Sequence, residues 1–292
     1  MNEAGNKNAG PGLYLLTPVP CEQVQRSRQM ILAAAEAVHP GRAAVLGAGK
    51  CTEIPLSELA VRFDKVLVCD VDASTLEAGI AAAMLSDAAR AKLDVRFDDL
   101  TGVTEPLLRG IHQILSEASA PEAAIERMVE LVESQPLPGA GLEDKYDLVV
   151  ASCVLSQLHF GLLHRSADLF ARKFGDSGQL PRSERWAQTL YDMARRMEAR
   201  FIDDLAGMLA PGGMICLSAT AQMCDIRLNK AGQWASAGTY RMLRTQDLTD
   251  YLDKRFTIVA GNRWHWVARP PQEPGDTGRL FDVQALVLRA SP

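Results

Sequence analysis

The sequence lacks the features that would place it among metal-binding, secreted or membrane-spanning proteins. Its six cysteines are scattered without a C-x-x-C pair, which excludes a zinc knuckle and a dithiol redox motif and fits a reducing compartment. No run approaches the roughly 18 apolar residues of a membrane span. Lys and Arg number 31 against 36 Asp and Glu, so no overall positive field draws nucleic acid or an anionic membrane. We expect a cytoplasmic protein with no metal site and with neither nucleic acid nor a membrane as partner.

The length of the chain favours one large domain. With 292 residues, 47% of them hydrophobic, it can bury a core without help from metals or disulfides. Residues 1–12 (MNEAGNKNAGPG) are polar, and they lack the basic start and apolar stretch of a secretion signal. We expect residues 1–12 to form a flexible tail and residues 13–292 to form a single domain.

Short apolar runs alternate along the chain with longer segments of helical periodicity. Two late runs, 256–259 (FTIV) and 283–288 (VQALVL), flank a stretch with several prolines and predict an antiparallel C-terminal hairpin. The whole pattern predicts an α/β fold, Rossmann-like and doubly wound, with a mostly parallel sheet of seven strands. The five runs that predict parallel strands are 43–46 (AAVL), 66–69 (VLVC), 95–97 (VRF), 148–151 (LVVA) and 214–217 (MICL).

Helical periodicity predicts what connects these strands. A helix is predicted from about residue 22 to 38, ending before Pro40 and Gly41. Two helices are predicted between the third and fourth strands, and one long helix over residues 184–209. The connection between the fourth and fifth strands is far longer than a minimal crossover. We therefore expect a helical insertion at about residues 156–208 that forms a lid over the site.

A glycine-rich turn directly follows the first predicted strand. In residues 45–51 (VLGAGKC), Gly47 and Gly49 allow a sharp turn and a close approach of a ligand to the backbone. The second strand ends at Asp70, 23 residues after Gly47. In nucleotide-binding βαβ units an acid about 20 residues after the first glycine accepts hydrogen bonds from ribose hydroxyls. These two motifs predict a nucleotide site, whereas Asp72 is placed to cap the next helix.

Together with two further stretches, these motifs resemble class I S-adenosylmethionine-dependent methyltransferases. Residues 146–155 (YDLVVASCVL) match the fourth strand of that family, and residues 209–215 (LAPGGMI) match the turn into the fifth. The resemblance implies S-adenosylmethionine as cofactor and methyl transfer (EC 2.1.1.-) by in-line displacement at the sulfonium, to oxygen or nitrogen of a small-molecule or peptide acceptor. The cofactor-binding residues that it implies are Gly47, Ala48, Gly49, Thr52, Asp70, Val71, Asp99, Leu100, Ser152 and Cys153. After the third strand the resemblance implies an acid that reaches the adenine amino group, and Asp99 matches that position better than Asp98.

The chain departs from the family pattern at two positions of the glycine turn. Val45 and Cys51 stand where the family usually has an acid and a third glycine. The methionine end of the cofactor is then left to backbone groups and to Thr52 or Glu53.

Residues beyond the fourth strand and in the predicted lid are the candidates for binding the acceptor. A hydroxyl acceptor needs a general base, and His159 or His164 is placed for that role because imidazole titrates near neutrality. Residues 161–200 carry eight basic against five acidic side chains, which fits either an anionic substrate group or the solvated faces of helices. Trp264 and Trp266 fit either an aromatic pocket wall or an alternating strand. The predicted substrate-binding residues are Ser156, Gln157, Trp234 and Tyr240.

Two other functions fit parts of the pattern. An NAD(P)-dependent oxidoreductase would also use the glycine turn, although a third glycine for the pyrophosphate helix is missing. A non-catalytic scaffold with a methyltransferase-like fold would keep the turn without the chemistry. The sequence has no Asn-Pro-Pro-Tyr or Asp-Pro-Pro-Tyr tetrapeptide after the fourth strand and no Pro-Cys nucleophile, which disfavours nucleic acid as the acceptor.

Overall fold

The central sheet is built from the strands that the apolar runs predict. A computed structural model describes residues 22–175, 179–228, 234–236, 241–242, 248–252, 255–273 and 275–291; the predicted tail 1–12 lies outside them. The strands are β1 Arg42–Leu46, β2 Lys65–Cys69, β3 Leu93–Arg96, β4 Tyr146–Ser152, β5 Leu209–Leu228, β6 Trp234–Ser236, β7 Arg241–Met242, β8 Phe256–Arg269 and β9 Thr277–Ala290.

The strand order confirms the predicted α/β fold. The main path of the sheet is β3-β2-β1-β4-β5-β9-β8. The five strands from β3 to β5 pair in parallel, and β9 pairs antiparallel with both β5 and β8. The sheet therefore has the predicted seven strands and C-terminal hairpin. Two short strands, β6 and β7, were not predicted; they pair antiparallel with the far end of β5.

Helices cover both faces of the sheet. Along β1, Ala44 and Leu46 belong to one buried cluster and Ala43 and Val45 to a second, so both faces of this strand are packed. This explains why β1 reads as a continuous apolar run. The helices are α1 Glu22–Glu36, α2 Leu56–Arg62, α3 Ala73–Ala82, α4 Asp87–Arg90, α5 Thr104–Glu117, α6 Pro121–Ser134, α7 Phe160–Phe174, α8 Gln179–Arg182 and α9 Glu184–Met208. None of the described helices is both long enough and apolar enough to cross a membrane.

Helices α7, α8 and α9 occupy the long connection between β4 and β5, where an insertion is predicted. Several of the basic side chains in this segment contact neighbouring structure. Arg165 forms an ion pair with Glu105 on α5, and Arg196 and Arg200 donate to backbone carbonyls of residues 133–138. These contacts show that several basic residues of the insertion pack against neighbouring elements. The two interpretations from the sequence, binding of an anionic substrate group and solvated helix faces, did not include this role.

The order of the strands creates a crevice next to β1. From β1 the chain moves outward to β2 and β3, and it then crosses back to β4 on the other side of β1. The loops that follow β1 and β4 therefore diverge at this point, and ligands of open α/β sheets bind in such a crevice beyond the carboxyl ends of the strands.

Candidate functional site

A cavity of about 500 Å³ lies at this crevice. The loops after β1, β2, β3 and β4 line it, together with the start of α7 and Trp266 on β8. Among the described residues, no group of three or more His, Cys, Asp or Glu side chains is arranged to hold a metal ion. The predicted site residues that line the cavity are Gly47, Ala48, Gly49, Thr52, Asp70, Val71, Asp99, Leu100, Ser152, Cys153 and Gln157.

The glycine turn needs glycine at its two positions for different reasons. Gly47 and Gly49 have φ values of +65° and +50°, in the left-handed region that favours glycine. A Cβ at Gly47 would lie 2.7 Å from Cβ of Val154, so the turn and the loop after β4 touch here. A Cβ at Gly49 would meet no atom within 4 Å, because this part of the backbone faces open space on the cavity wall.

A second close contact at the turn comes from helix α3. Gly79, in the middle of α3, is buried, and a Cβ there would lie 2.6 Å from the carbonyl oxygen of Lys50. Helix α3 therefore packs directly against the backbone of the glycine turn. A glycine inside a helix is unfavourable by itself, and this was the available sequence signal for such a contact.

Asp70 fixes the glycine turn to the loop after β2. One carboxylate oxygen accepts a hydrogen bond from the backbone N–H of Gly49 at 2.8 Å, and the other accepts one from the N–H of Asp72 at 2.9 Å. Asp70 remains on the cavity wall, half-buried. Each carboxylate oxygen has a further lone pair and can accept a second hydrogen bond.

Asp72 caps helix α3, as the sequence predicts. Its carboxylate accepts from the backbone N–H of Thr75 at 3.1 Å and from the hydroxyls of Thr75 and Ser74. These hydrogen bonds, led by the Thr75 hydroxyl, lower the pKa of Asp72 to about 2. The carboxylate therefore stays ionised at the positive end of the helix.

The two carboxylates after β3 differ in how they are used. Asp99 accepts from the backbone N–H groups of Thr101 and Thr104, each at 2.9 Å, and from the hydroxyl of Thr101. It therefore holds the first turn of α5 and has little capacity left for a ligand. The neighbouring Asp98 also lines the cavity, and its side chain is exposed.

Glu53 lies on the cavity wall beside the end of β4, in a network of buried polar groups. It accepts a hydrogen bond from the hydroxyl of Ser152 at 3.1 Å, and the amide of Gln23 on α1 lies nearby and donates to the Cys153 sulfur. Burial raises the pKa of the Glu53 carboxyl, and the nearby Gln23 and Ser152 side chains oppose the shift. Gln23 is only 2% exposed, and its amide oxygen accepts from the indole N–H of Trp264 on β8.

Cys153 adjoins this network with an unusual backbone conformation. Its φ is +55°, which is uncommon for a residue other than glycine and is often found at functional sites. Hydrogen bonds from its backbone N–H to the carbonyl and hydroxyl oxygens of Ser218 on β5 hold this conformation. Burial raises the pKa of its thiol to about 12, so the thiol is neutral and is not an activated nucleophile.

The structure does not bring all predicted acceptor-side residues to the cavity. Among the described lining residues, Gln157 is present, whereas Ser156, His159 and His164 are absent. Ser156 is buried and bonded to the Thr220 hydroxyl at 2.6 Å. The side chain of Trp234 and all of Tyr240 lie outside the described residues.

Both histidines contact Phe160, which itself lines the cavity. The ring of His159 packs edge-on against Phe160, and the ring of His164 does so from one turn further along α7. Burial lowers the pKa of His159, and its Nδ1 atom has no hydrogen-bond partner among the described residues. This packing, rather than contact with the cavity, is the role that the structure shows for the two imidazoles.

The two tryptophans of β8 take different positions. Trp264 is 4% exposed and packs with Cys153 and Val283. Trp266 lines the cavity and stacks on Phe281, with 5.2 Å between the ring centroids. The alternating-strand interpretation therefore holds for Trp264, and the pocket-wall interpretation holds for Trp266.

Because Glu53 is buried, removing its charge is expected to raise the melting temperature by an amount that depends on pH. A carboxyl whose pKa is higher in the folded protein than in the unfolded chain destabilises the fold increasingly as pH rises through that interval. We expect the melting temperature of Glu53→Gln to increase relative to that of the unsubstituted protein as pH rises from 5 to 8. Calorimetric melting of both proteins measures the difference. Glu58→Gln is the matched control, since it removes the same charge at an exposed position; an equal gain there would contradict the prediction.

Comparisons with known proteins give only remote similarities. No model of a known protein family matches the chain, and no curated protein matches it. It is similar to the solved N-methyltransferase NodS from Bradyrhizobium japonicum, in complex with S-adenosyl-L-homocysteine, with 15% identity, a TM-score of 0.42, and 92% of this chain and 86% of that chain covered.

Two further solved structures show similarity of the same order. The glycopeptide N-methyltransferase MtfA, complexed with S-adenosyl-L-methionine, is 14% identical, with a TM-score of 0.39 and coverage of 92% of this chain and 87% of that one. The ribosomal protein L11 methylase from Lactobacillus delbrueckii subsp. bulgaricus is 11% identical, with a TM-score of 0.39 and coverage of 91% of this chain and 80% of that one. All three are methyltransferases, the kind of enzyme that the sequence resembles, but similarities this remote assign no activity or substrate to this chain.

Proposed function

We propose that the chain is an S-adenosylmethionine-dependent methyltransferase acting on a small molecule or a peptide. The observation that carries this proposal is the pairing of Gly49 with Asp70 on one cavity wall. The Gly49 backbone faces open space, while its N–H holds the carboxylate that the spacing predicts for ribose. A volume of about 500 Å³ is in the range of pockets that enclose drug-sized ligands.

The residues on the wall fit the parts of this cofactor. Asp70 would accept from the ribose hydroxyls with the lone pairs that its two backbone hydrogen bonds leave free. Beyond β3, Leu100 offers an apolar contact for the adenine ring, and we assign the adenine amino group to Asp98, because capping of α5 occupies Asp99. Backbone groups of the turn, with Thr52 and Lys50, would hold the methionine end, whereas Glu53, the alternative to Thr52 in the sequence, is bonded to Ser152 at the end of β4.

Methyl transfer requires the protein mainly to position the cofactor and the acceptor and to exclude water. When bound, S-adenosylmethionine supplies a methyl group on a sulfonium, which an acceptor atom attacks in line. The loop after β4 and the start of α7 line the side of the cavity away from the adenine end, and Leu158 and Phe160 exclude water there. Ser152 and Gln157 are the polar groups of this segment available to orient an acceptor.

Calorimetry with the cofactor product tests the proposal directly. We expect S-adenosylhomocysteine to bind the full chain with a micromolar or lower Kd, and NAD and NADP to give no heat under the same conditions. Binding of NAD or NADP alone would establish the oxidoreductase alternative instead. No heat with any of these ligands would favour the scaffold alternative and contradict the proposed function.

A further inference from the structure

The cavity has two chemically different ends. Its wall runs from Asp98 beyond β3, past Asp70 and the glycine turn, to Ser152 at the end of β4. β3 and β4 are three strand positions apart, or about 14 Å at the usual strand spacing. If adenine lies at the β3 end, as the proposed function has it, the reacting methyl group lies towards β4, where an acceptor must enter.

At the β4 end the cavity carries a carboxylate and an indole. Glu53 accepts from the Ser152 hydroxyl there, and Gln23, which accepts from the indole N–H of Trp264 and donates to the Cys153 sulfur, lies nearby. Trp266 lines the same cavity from β8, with its ring stacked on Phe281. Glu53 is thus bonded to the end of β4, and it caps no helix and forms no ion pair within the described residues.

The charges on the cavity wall favour a cation. Among the described lining residues, Glu53 is the carboxylate that neither the proposed cofactor contacts nor a helix start uses, and Lys50, the one Lys or Arg, is assigned to the methionine end. Carboxylates around a partly closed cavity attract cations and repel phosphate or carboxylate groups. An indole face adds a further attraction for an ammonium group.

We propose that the acceptor is an amine that enters protonated, with Glu53 binding its ammonium group beside the ring of Trp266 and then removing a proton. This inference rests on the proposed function and names its substrate class. It replaces His159 and His164, which contact Phe160 rather than the cavity, with Glu53 as the residue that takes the proton.

The step balances without any further reactant. The ammonium transfers one proton to the Glu53 carboxylate, which leaves a lone pair on nitrogen. That lone pair forms the new N–C bond while the methyl C–S bond breaks, and the electron pair of the broken bond stays on sulfur as a neutral thioether. The methylated amine leaves as a cation, and the proton on Glu53 passes to water when product departs. Burial of Glu53, which raises its pKa, makes its carboxylate a stronger base than an exposed one.

Binding measurements on the protein saturated with S-adenosylhomocysteine test the inference without turnover. The probes are benzylamine, isobutylamine and hexylamine, each compared with the alcohol and the carboxylate of the same skeleton. At least one amine is expected to bind about tenfold more tightly than its alcohol, with the carboxylate weakest. Glu53→Gln should reduce the preference for amine over alcohol to below about threefold, and Trp266→Leu should weaken amine binding about fivefold. Glu58→Gln is the control and should keep the preference.

The results separate this inference from the proposed function. If the unsubstituted protein does not bind S-adenosylhomocysteine, the proposed function fails. If it binds S-adenosylhomocysteine but Glu53→Gln loses that binding, Glu53 holds the cofactor and the inference is overturned. Equal or weaker binding of every amine than of its alcohol also overturns it, as does an amine preference that survives Glu53→Gln.

Discussion

Alanine at Gly49 is expected to raise the Kd for S-adenosylhomocysteine at least about 100-fold while the protein stays folded. The added Cβ meets no protein atom within 4 Å, so the only new neighbour would be the ligand that approaches the turn. The positive φ of +50° costs roughly 1–2 kcal/mol for a residue with a Cβ. Calorimetric titration measures the affinity, and thermal melting measures the cost in stability.

Gly141 provides the control for backbone strain. It has a φ of +63°, open space around the position of a Cβ, and no place among the lining residues of the cavity. Gly141→Ala should therefore lower the melting temperature about as much as Gly49→Ala does and leave the affinity unchanged. If the two variants lose affinity equally, the effect comes from general strain, and the turn is not a ligand cradle.

Gly47→Ala should behave differently, because the residue has a structural neighbour. A Cβ there would overlap Val154 in the loop after β4 and would force the two loops apart. Loss of stability is then expected to accompany loss of binding. This contrast between the two variants would show that one motif serves two purposes, with Gly47 packed against Val154 and Gly49 leaving room for a ligand.

Sequence reasoning succeeded where the signal is local. The glycine turn and Asp70 stand at the carboxyl ends of adjacent strands, so periodicity and spacing are enough to bring them to one edge of the sheet. The ten residues predicted to bind the cofactor all line the cavity, although hydrogen bonds to Thr101 and Thr104 leave Asp99 little capacity for a ligand. The capping role of Asp99 depends on where α5 begins, and sequence boundaries of helices are the least certain part of such predictions.

The acceptor end could not be predicted because long-range contacts build it. The contact between Gln23 and Cys153 spans 130 residues, and the bond from Trp264 to Gln23 spans 241. No spacing rule connects an N-terminal helix, a loop after β1 and a C-terminal hairpin. The histidines were expected at the cavity because they follow β4, but the 3-10 turn Leu155–Gln157 and the start of α7 place Phe160 and Gly161 on the wall instead.

Non-local pairing also explains why β5 is longer than its apolar run predicts. The run covers residues 214–217, whereas the strand extends from Leu209 to Leu228. Its register with β9 continues as far as Arg227, so the partner strand supplies hydrogen bonds to a segment that has little strand character of its own. This extension, with the hairpin beside it, brings Trp266 to the cavity.

Asp70→Ala is expected to weaken S-adenosylhomocysteine binding about 100-fold or more. The substitution removes the acceptor for the ribose hydroxyls, and it also frees the N–H of Gly49, which the carboxylate holds at 2.8 Å. A hydrogen bond to a charged group is worth about 1.5–3 kcal/mol, and two lost bonds to a ligand give a loss of this size. The affinity of Asp70→Asn for S-adenosylhomocysteine should lie between that of the unsubstituted protein and that of Asp70→Ala, because its single amide oxygen can accept only part of the hydrogen bonds that the carboxylate accepts.

Asp72→Ala separates the position of the carboxylate from its charge. Asp72 also lines the cavity and carries the same charge, but its oxygens cap α3. We therefore expect its removal to lower the melting temperature and to change the affinity by less than about threefold. Both variants and the unsubstituted protein are titrated with S-adenosylhomocysteine at one ionic strength, because a change in charge screening would also change the affinity. Equal losses for Asp70→Ala and Asp72→Ala would mean that the cavity attracts its ligand by charge alone, and Asp70 would then have no specific role at the ribose.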